Sequence, residues 1–186
     1  MCLILDIEHI ICARCMGSPP AFDRLCSIFT YNEPVLSLVT DLKFNNKLVA
    51  GKLLGQLLAD KVINDWYEND SLVTAIIPVP LHLKRLKQRG YNQVVEILHP
   101  VTTTLKLPVL LDACVRVKNT QAQSSLDSTA RVANIADAFE IVAPIPYTHV
   151  ALVDDVVTTG STVNALSKIL KQHGVEQVDV WCVCRA

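Results

Sequence analysis

The stretch Val150-Ala-Leu-Val-Asp-Asp-Val-Val-Thr-Thr-Gly-Ser-Thr162 constrains the fold of this chain more than any other. An apolar run with the length of a strand enters two adjacent acids. A hydroxyl-rich turn with one glycine then leads into a segment whose apolar positions, Val163, Leu166, Ile169 and Leu170, share one helical face. Gly174, just after His173, supplies a left-handed helix stop. This is a strand-turn-helix unit, and such units in series build a mainly parallel sheet through right-handed crossovers.

The remaining periodicities agree with an α/β fold. Between Lys47 and Trp66, the residues Leu53, Leu54, Leu57, Leu58, Val62 and Trp66 recur at helical spacing with polar residues between them, which predicts an amphipathic helix. Leu72 to Val79 is continuously apolar and β-branched, the pattern of a strand buried on both faces. A second helical stretch follows Gly90 to about Leu98, where Pro100 is expected to end or kink it. Residues 108–138 hold an apolar patch, Val109 to Leu111, and a polar stretch, Lys118 to Ser128, expected to be a mobile loop. Short strands are expected at Ala138 to Val142 and Val150 to Val153, and a last one at Gln177 to Val183. In such sheets ligands bind beyond the carboxyl ends of the strands.

Composition narrows the classes. At 186 residues and 51% hydrophobic, the chain supports one sizeable core, read as residues 31–186 behind a short cysteine-containing segment, 1–30. A formal net charge of -1 leaves no global field for nucleic acid or an anionic membrane, so anion binding must be local. Apolar runs stop well short of the ~18 residues of a membrane span. Asp6 and Glu8 interrupt the first apolar stretch and no basic leader precedes it, so a soluble, cytoplasmic protein is expected. Seven cysteines, an odd number, argue for reduced thiols or a metal site over a disulfide framework.

The chemistry of the first motif is that of a monophosphate cradle. Gly160 tolerates positive φ, which lets successive backbone N–H groups converge on an anion. Thr158, Thr159, Ser161 and Thr162 add hydroxyls, and the helix start adds partial positive charge. The carboxylates of Asp154 and Asp155 only accept hydrogen bonds and suit the two hydroxyls of a ribose. The alternative is an ordinary surface turn with a capped helix. A second block, Val79 to Gln93, carries His82, Lys84, Arg85, Lys87 and Arg89 with no acid. The guanidinium forks of Arg85 and Arg89 suit a pyrophosphate, whereas a solvated helix face is the plainer reading.

Together these segments resemble the ComF family, GntX-like proteins included, of type I phosphoribosyltransferase-like proteins. The similarity rests on Val150 to Thr162, on Leu42-Lys43-Phe44, on Pro78 to Gln93, and on Thr120, Gln123, Leu126, Arg131, Asn134, Ala138 and Phe139, with Val180-Trp-Cys-Val-Cys-Arg185 at the end. The resemblance implies a parallel central sheet flanked by helices with a small hood. It also implies binding of 5-phosphoribosyl 1-pyrophosphate (PRPP) with Mg²⁺, and transfer of the phosphoribosyl group to an unidentified acceptor, such as a nucleobase, with pyrophosphate displaced. Gln123, Arg131 and Asn134 would belong to the hood or contact substrate. The family link to competence and DNA uptake makes a non-catalytic PRPP sensor or a module handling single-stranded DNA the alternative, with competence proteins as partners. Against broad DNA stacking, the basic block has no interleaved aromatic but Tyr91.

Cys12 and Cys15 have the spacing of half a tetrahedral zinc site. The family carries a further Cys-x-x-Cys pair ahead of this one, whereas here only Cys2 precedes it, so reduced thiols are expected in place of zinc. Cys182 and Cys184 alternate along the last strand as small buried thiols.

Overall fold

The computed structural model describes Cys15, residues 17–118 and residues 137–186. In chain order the elements are β1 (Arg24–Thr30), α1 (Val35–Phe44), α2 (Leu48–Lys61), which runs into a π-helical turn (Val62–Trp66), β2 (Ala75–Pro78), α3 (Leu83–Arg89) and α4 (Gln93–Leu105). β3 (Cys114–Arg116), β4 (Phe139–Ile141), β5 (His149–Val157), α5 (Ser161–Gln172) and β6 (Gln177–Arg185) complete them.

Four strands form one sheet in the order β1-β6-β5-β2, every neighbouring pair parallel. Both faces are covered, which is why the central strands are apolar throughout and do not alternate. On one face α1, α2, the π-helical turn and α4 pack Leu42, Leu54, Leu58, Trp66 and Ile97 onto Ala151, Val153, Trp181 and Val183. On the other, α5 and the short strands place Val163, Leu166, Leu170, Cys114 and Phe139 against Leu152, Val178 and Val180. The sheet is thus α/β with helices on both sides, as the resemblance implies.

The direction of the connections locates a crevice. From β2 the chain passes to α4 on the first face, and from the adjacent β5 it passes to α5 on the second. Two neighbouring parallel strands whose exits diverge leave a gap at their carboxyl ends. β5 also outruns β2: pairing ends at Pro78↔Val153, with Val79 N–H donating to the Val153 carbonyl at 2.9 Å. Asp154 and Asp155 therefore lie just past the sheet's last β2 pairing. β3 and β4 form a separate antiparallel ribbon, joined to the exit of β2 by a bridge between His82 and Arg116. We call this ribbon the hood for its place over the exit of β2.

At the opposite, amino-terminal edge, a buried polar network ties the π-helical turn to the sheet. Tyr67 donates its hydroxyl hydrogen bond to Asp179, which is fully buried; Trp181 Nε1 donates to the Tyr67 oxygen at 3.0 Å, and His149 Nε2 lies 3.1 Å from the same carboxylate. The Tyr67 hydroxyl is held far above the usual phenol range by burial and then by the Asp179 charge.

Several elements depart from the sequence expectation. β1 lies inside the stretch read as an N-terminal segment and pairs with β6, so the sheet begins before residue 31. α1, β1 and β3 had no clear periodic signal. The patch at Val109 extends the sheet edge: Ile76 N–H donates to Pro108 O at 2.9 Å and Leu110 N–H to Ile76 O at 2.8 Å. The strand expected at Ala138 to Val142 exists as β4 but sits in the hood ribbon. Pro100 lies inside α4 and does not end it, because Val94, Ile97, Leu98 and Val101 are all buried and carry the helix past the missing hydrogen bond. Most of the polar stretch Lys118 to Ser128 falls outside the described residues.

Gly55 explains how α2 reaches α4 at that proline. A Cβ there would stand 2.1 Å from the Ile97 carbonyl oxygen and 2.9 Å from the Pro100 ring, distances that force the two helices apart. Gly55→Ala is expected to reduce unfolding free energy by about 1–3 kcal/mol in chemical denaturation. Gly17→Ala, where nothing lies within 4 Å, is the control and should stay within about 0.5 kcal/mol of the parent.

Candidate functional site

Strand alternation separates the two acids, because successive side chains on β5 point to opposite faces. Asp155 turns toward the α1 face and is 3% exposed. Its Oδ1 accepts the Val156 N–H at 2.7 Å, and Oδ2 lies 2.9 Å from Lys43 Nζ at the end of α1. No hydrogen bond of good geometry reaches that oxygen, so the ammonium charge is its main compensation. Asp154 keeps partial solvent contact and accepts the Asp155 N–H on Oδ1 at 2.9 Å. Burial and then the neighbouring Asp155 charge raise its carboxyl well above the usual range, against the pull of Lys43.

Beyond the doublet, Gly160 adopts φ 77° and ψ 0° and serves as the N-cap of α5 with no side chain capping the helix. The first-turn amides of α5 are left for water or a ligand. Thr159 Oγ1 and Ser161 Oγ are 2.8 Å apart, and the Ser161 N–H donates to Thr159 Oγ1 at 3.3 Å. Thr158 and Thr159 are exposed, and Gly160, Ser161 and Thr162 half-buried, so these groups are open to solvent. Ala21 N–H donates to Asn164 Oδ1 at 2.6 Å, which fastens the chain ahead of β1 to the same helix turn.

The basic block forms α3, which buries no residue. His82 caps it by accepting the Lys84 N–H at 3.1 Å, and Gly90, at φ 85°, ends it. Arg85 and Arg89 are half-buried while Lys84 and Lys87 are exposed, because residues four apart share a helix face. Arg89 donates to the buried Gln93 and packs 5.7 Å from the Phe44 ring centre. Its charge is disfavoured by burial and supported by Asp155.

Four residues stand out that sequence reasoning left without a role. Leu42-Lys43-Phe44 bolts the end of α1 to the site: the Leu42 carbonyl accepts from the Tyr91 hydroxyl, Lys43 meets Asp155 and Phe44 meets Arg89. Lys43 carries no local signal of this role, because its partner Asp155 is distant in the chain. Arg116, on the hood, stacks 5.4 Å from Phe139 and feels both Arg85 and Asp154, so a third arginine approaches the crevice. Gln123, Arg131 and Asn134 lie outside the described residues, as does Cys12. Cys15 is buried, and among the described residues no three His, Cys, Asp or Glu side chains gather as a metal site. The Cys114, Cys182 and Cys184 thiols are pushed up to about 12 by burial, which makes them unreactive packing groups.

This chain is 38% identical over 179 residues to competence protein F of Haemophilus influenzae, covering 94% of itself and 78% of that protein. It belongs to the ComF family. The DNA utilization protein YhgH of Escherichia coli K12 is a further relative of this ComF-family chain, 34% identical over 179 residues, 96% of this chain and 79% of that protein. Competence protein ComFC of Streptococcus pneumoniae is 24% identical over 159 residues, covering 86% and 67% of the two chains. No family model matches. Among solved structures, a Trypanosoma cruzi hypoxanthine phosphoribosyl transferase aligns with a TM-score of 0.41 and 11% identity over 71% of this chain and 63% of that one.

The raised Asp154 carboxyl has a stability consequence in the ligand-free ComF-family protein. The folded state prefers the proton while the unfolded chain releases it near the ordinary value of about 3.9, so stability falls as pH rises from there through neutrality. Asp154→Asn is expected to melt above the parent at pH 8, by a margin on the order of 1–3 kcal/mol, and by less at pH 5. A variant that melts lower at both pH values would contradict this origin of the shift.

Proposed function

We propose that this chain binds PRPP across the crevice between β2 and β5 and transfers its phosphoribosyl group to an acceptor with displacement of pyrophosphate. The observation that carries the reading is the convergence, at one divergence of strand exits, of an acidic strand end, a positive-φ glycine turn and half-buried arginines. In this reading Thr158, Thr159, Gly160, Ser161 and Thr162 take the 5'-phosphate, the strand end that carries Asp154 and Asp155 meets the ribose, and Arg85 and Arg89 take the pyrophosphate. Arg116 reaches the same space from the hood.

The acceptor attacks the anomeric carbon as the bond to pyrophosphate breaks, through a transition state of oxocarbenium character by analogy with glycoside chemistry. The chain's contribution is positioning and charge: fixed donors at the phosphate, carboxyl oxygens at the diol, and guanidinium groups at the leaving oxygens. With Asp155 engaged by Lys43, the Asp154–Asp155 doublet is not a free carboxylate pair that could chelate a metal. The donor set therefore fits Mg²⁺ carried mainly by pyrophosphate and ribose oxygens and water. Bound there, the ion supplies neutralisation of the leaving group. No helix among the described residues is long and apolar enough to cross a membrane.

Titration calorimetry with Mg-PRPP tests the premise, and pyrophosphate release across a panel of nucleobases tests transfer. Arg85→Ala and Arg89→Ala are each expected to weaken Mg-PRPP by about 10-fold to 100-fold, the worth of one or two charge-assisted hydrogen bonds. They should leave ribose 5-phosphate binding near the parent value. Gly160→Ala strains a left-handed position and is expected to weaken both ligands. Absence of heat with Mg-PRPP in the parent protein rejects the proposal.

A second reading, single-stranded DNA handling, is favoured by one observation. Phe44, 72% exposed, lies against Arg89 beside the basic helix, giving the block a second aromatic besides Tyr91; bases stack on such faces. The relatives named for competence and DNA utilization are consistent with it. Phe44→Ala is expected to weaken oligo(dT) binding by about 5-fold or more, and Arg85→Ala with Arg89→Ala to flatten its salt dependence. Unchanged affinity in both variants removes this surface from DNA recognition.

A further inference from the structure

Lys43 makes a direct ion pair with the acidic doublet, reaching it from the end of α1. Its side chain is 21% exposed and that of its partner Asp155 only 5%. Both oxygens of Asp155 are spoken for, Oδ1 by the Val156 amide and Oδ2 by the Lys43 ammonium. Asp154 accepts the Asp155 N–H on Oδ1 and retains contact with solvent. The end of α1 is held in place by Tyr91 on the Leu42 carbonyl and by Arg89 on Phe44, so Lys43 is delivered by a fixed support. An ion pair this buried is a poor way to gain stability, since desolvation offsets the attraction, yet leaving either partner alone is costly. Its placement behind a substrate-facing carboxyl group gives it another use.

We propose that Lys43 is a positioning residue that locks Asp155 inward as a neutralised support, so that Asp154 alone presents its carboxyl group to the sugar diol. The two acids then have different jobs: one receives the hydroxyls, and the other anchors the cation that keeps two adjacent negative charges compatible. This deepens the PRPP reading given above and rests on it.

The experiment compares three ligands, Mg-PRPP, ribose 5-phosphate and inorganic pyrophosphate, by titration calorimetry on the full chain. Lys43→Met is expected to weaken ribose 5-phosphate and Mg-PRPP by a similar factor, about 10-fold or more, the effect of losing about 1.4 kcal/mol or more. Pyrophosphate alone should stay within about 2-fold of the parent, since it does not use the diol. Lys43→Arg should recover most of the loss. A double variant, Lys43→Met with Asp155→Asn, removes the buried charge together with its partner. It is expected to fold even where the single variant does not, and to bind ribose 5-phosphate better than Lys43→Met does.

The inference is overturned if Lys43→Met binds ribose 5-phosphate like the parent, or if it loses pyrophosphate to the same degree. It is also overturned if the double variant binds ribose 5-phosphate no better than the single one, the result expected where Asp155 itself contacts the diol. A parent protein that binds neither sugar phosphate overturns the PRPP reading and this inference with it, whereas sugar-phosphate binding with any of the other outcomes overturns this inference alone.

Discussion

Placing a carboxylate in a region 3% open to water is among the most expensive acts in this structure, and the ion pair between Lys43 and Asp155 makes it possible. Much of the architecture on the α1 face can be understood as delivering that one ammonium. α1 ends where it does against the turn after α3, its last carbonyls occupied by Tyr91 and by Asn45 and Lys47 amides. The close approach of α2 and α4 at Gly55 keeps this helical layer compact beneath it. An ordinary surface lysine would have served the helix dipole equally well; the buried acid is what gives this one its consequence.

The sheet supplies the rigidity that such a site requires. β5 is bonded on both sides along its apolar half and packed on both faces, so the position of its acidic end is set by many cooperating contacts. At the far edge, Asp179, Tyr67, Trp181 and His149 satisfy one another and keep β5 and β6 in register with the π-helical turn. The crevice end is built from the reverse material: α3 buries nothing, Thr158 and Thr159 are exposed, and α5 starts uncapped by a side chain. A stiff strand thus carries an adaptable rim, a division suited to holding a small charged ligand.

Legibility followed the range of the interactions. The long helix at 48–61, the central strands and the α5 stop at Gly174 were readable because their signals are local: helical apolar spacing, β-branched runs and a positive-φ glycine. β1 escaped because its mixed pattern, with half-buried residues at Ser27 and Ile28, resembles no clean period. Pro100 misled because burial of Val94, Ile97, Leu98 and Val101 outweighs one missing hydrogen bond. At the site, Gly160 and its hydroxyl neighbours were visible as a motif. The split of Asp154 from Asp155 was implicit in strand alternation, but the partner waiting on each face was not.

What the sequence determined alone is the local chemistry: a strand that must be buried, a turn that must accept positive φ, an acidic pair at its entrance, and two arginines one helical turn apart. What tertiary structure decided is which charges meet. Lys43 reaches Asp155 across 112 positions of chain, and Phe44 and Arg116 arrive at the same crevice from a helix end and a hood ribbon. No local pattern encodes these encounters, because the energy of a charge depends on how far water is excluded around it. That exclusion exists only after the helices have closed over the sheet.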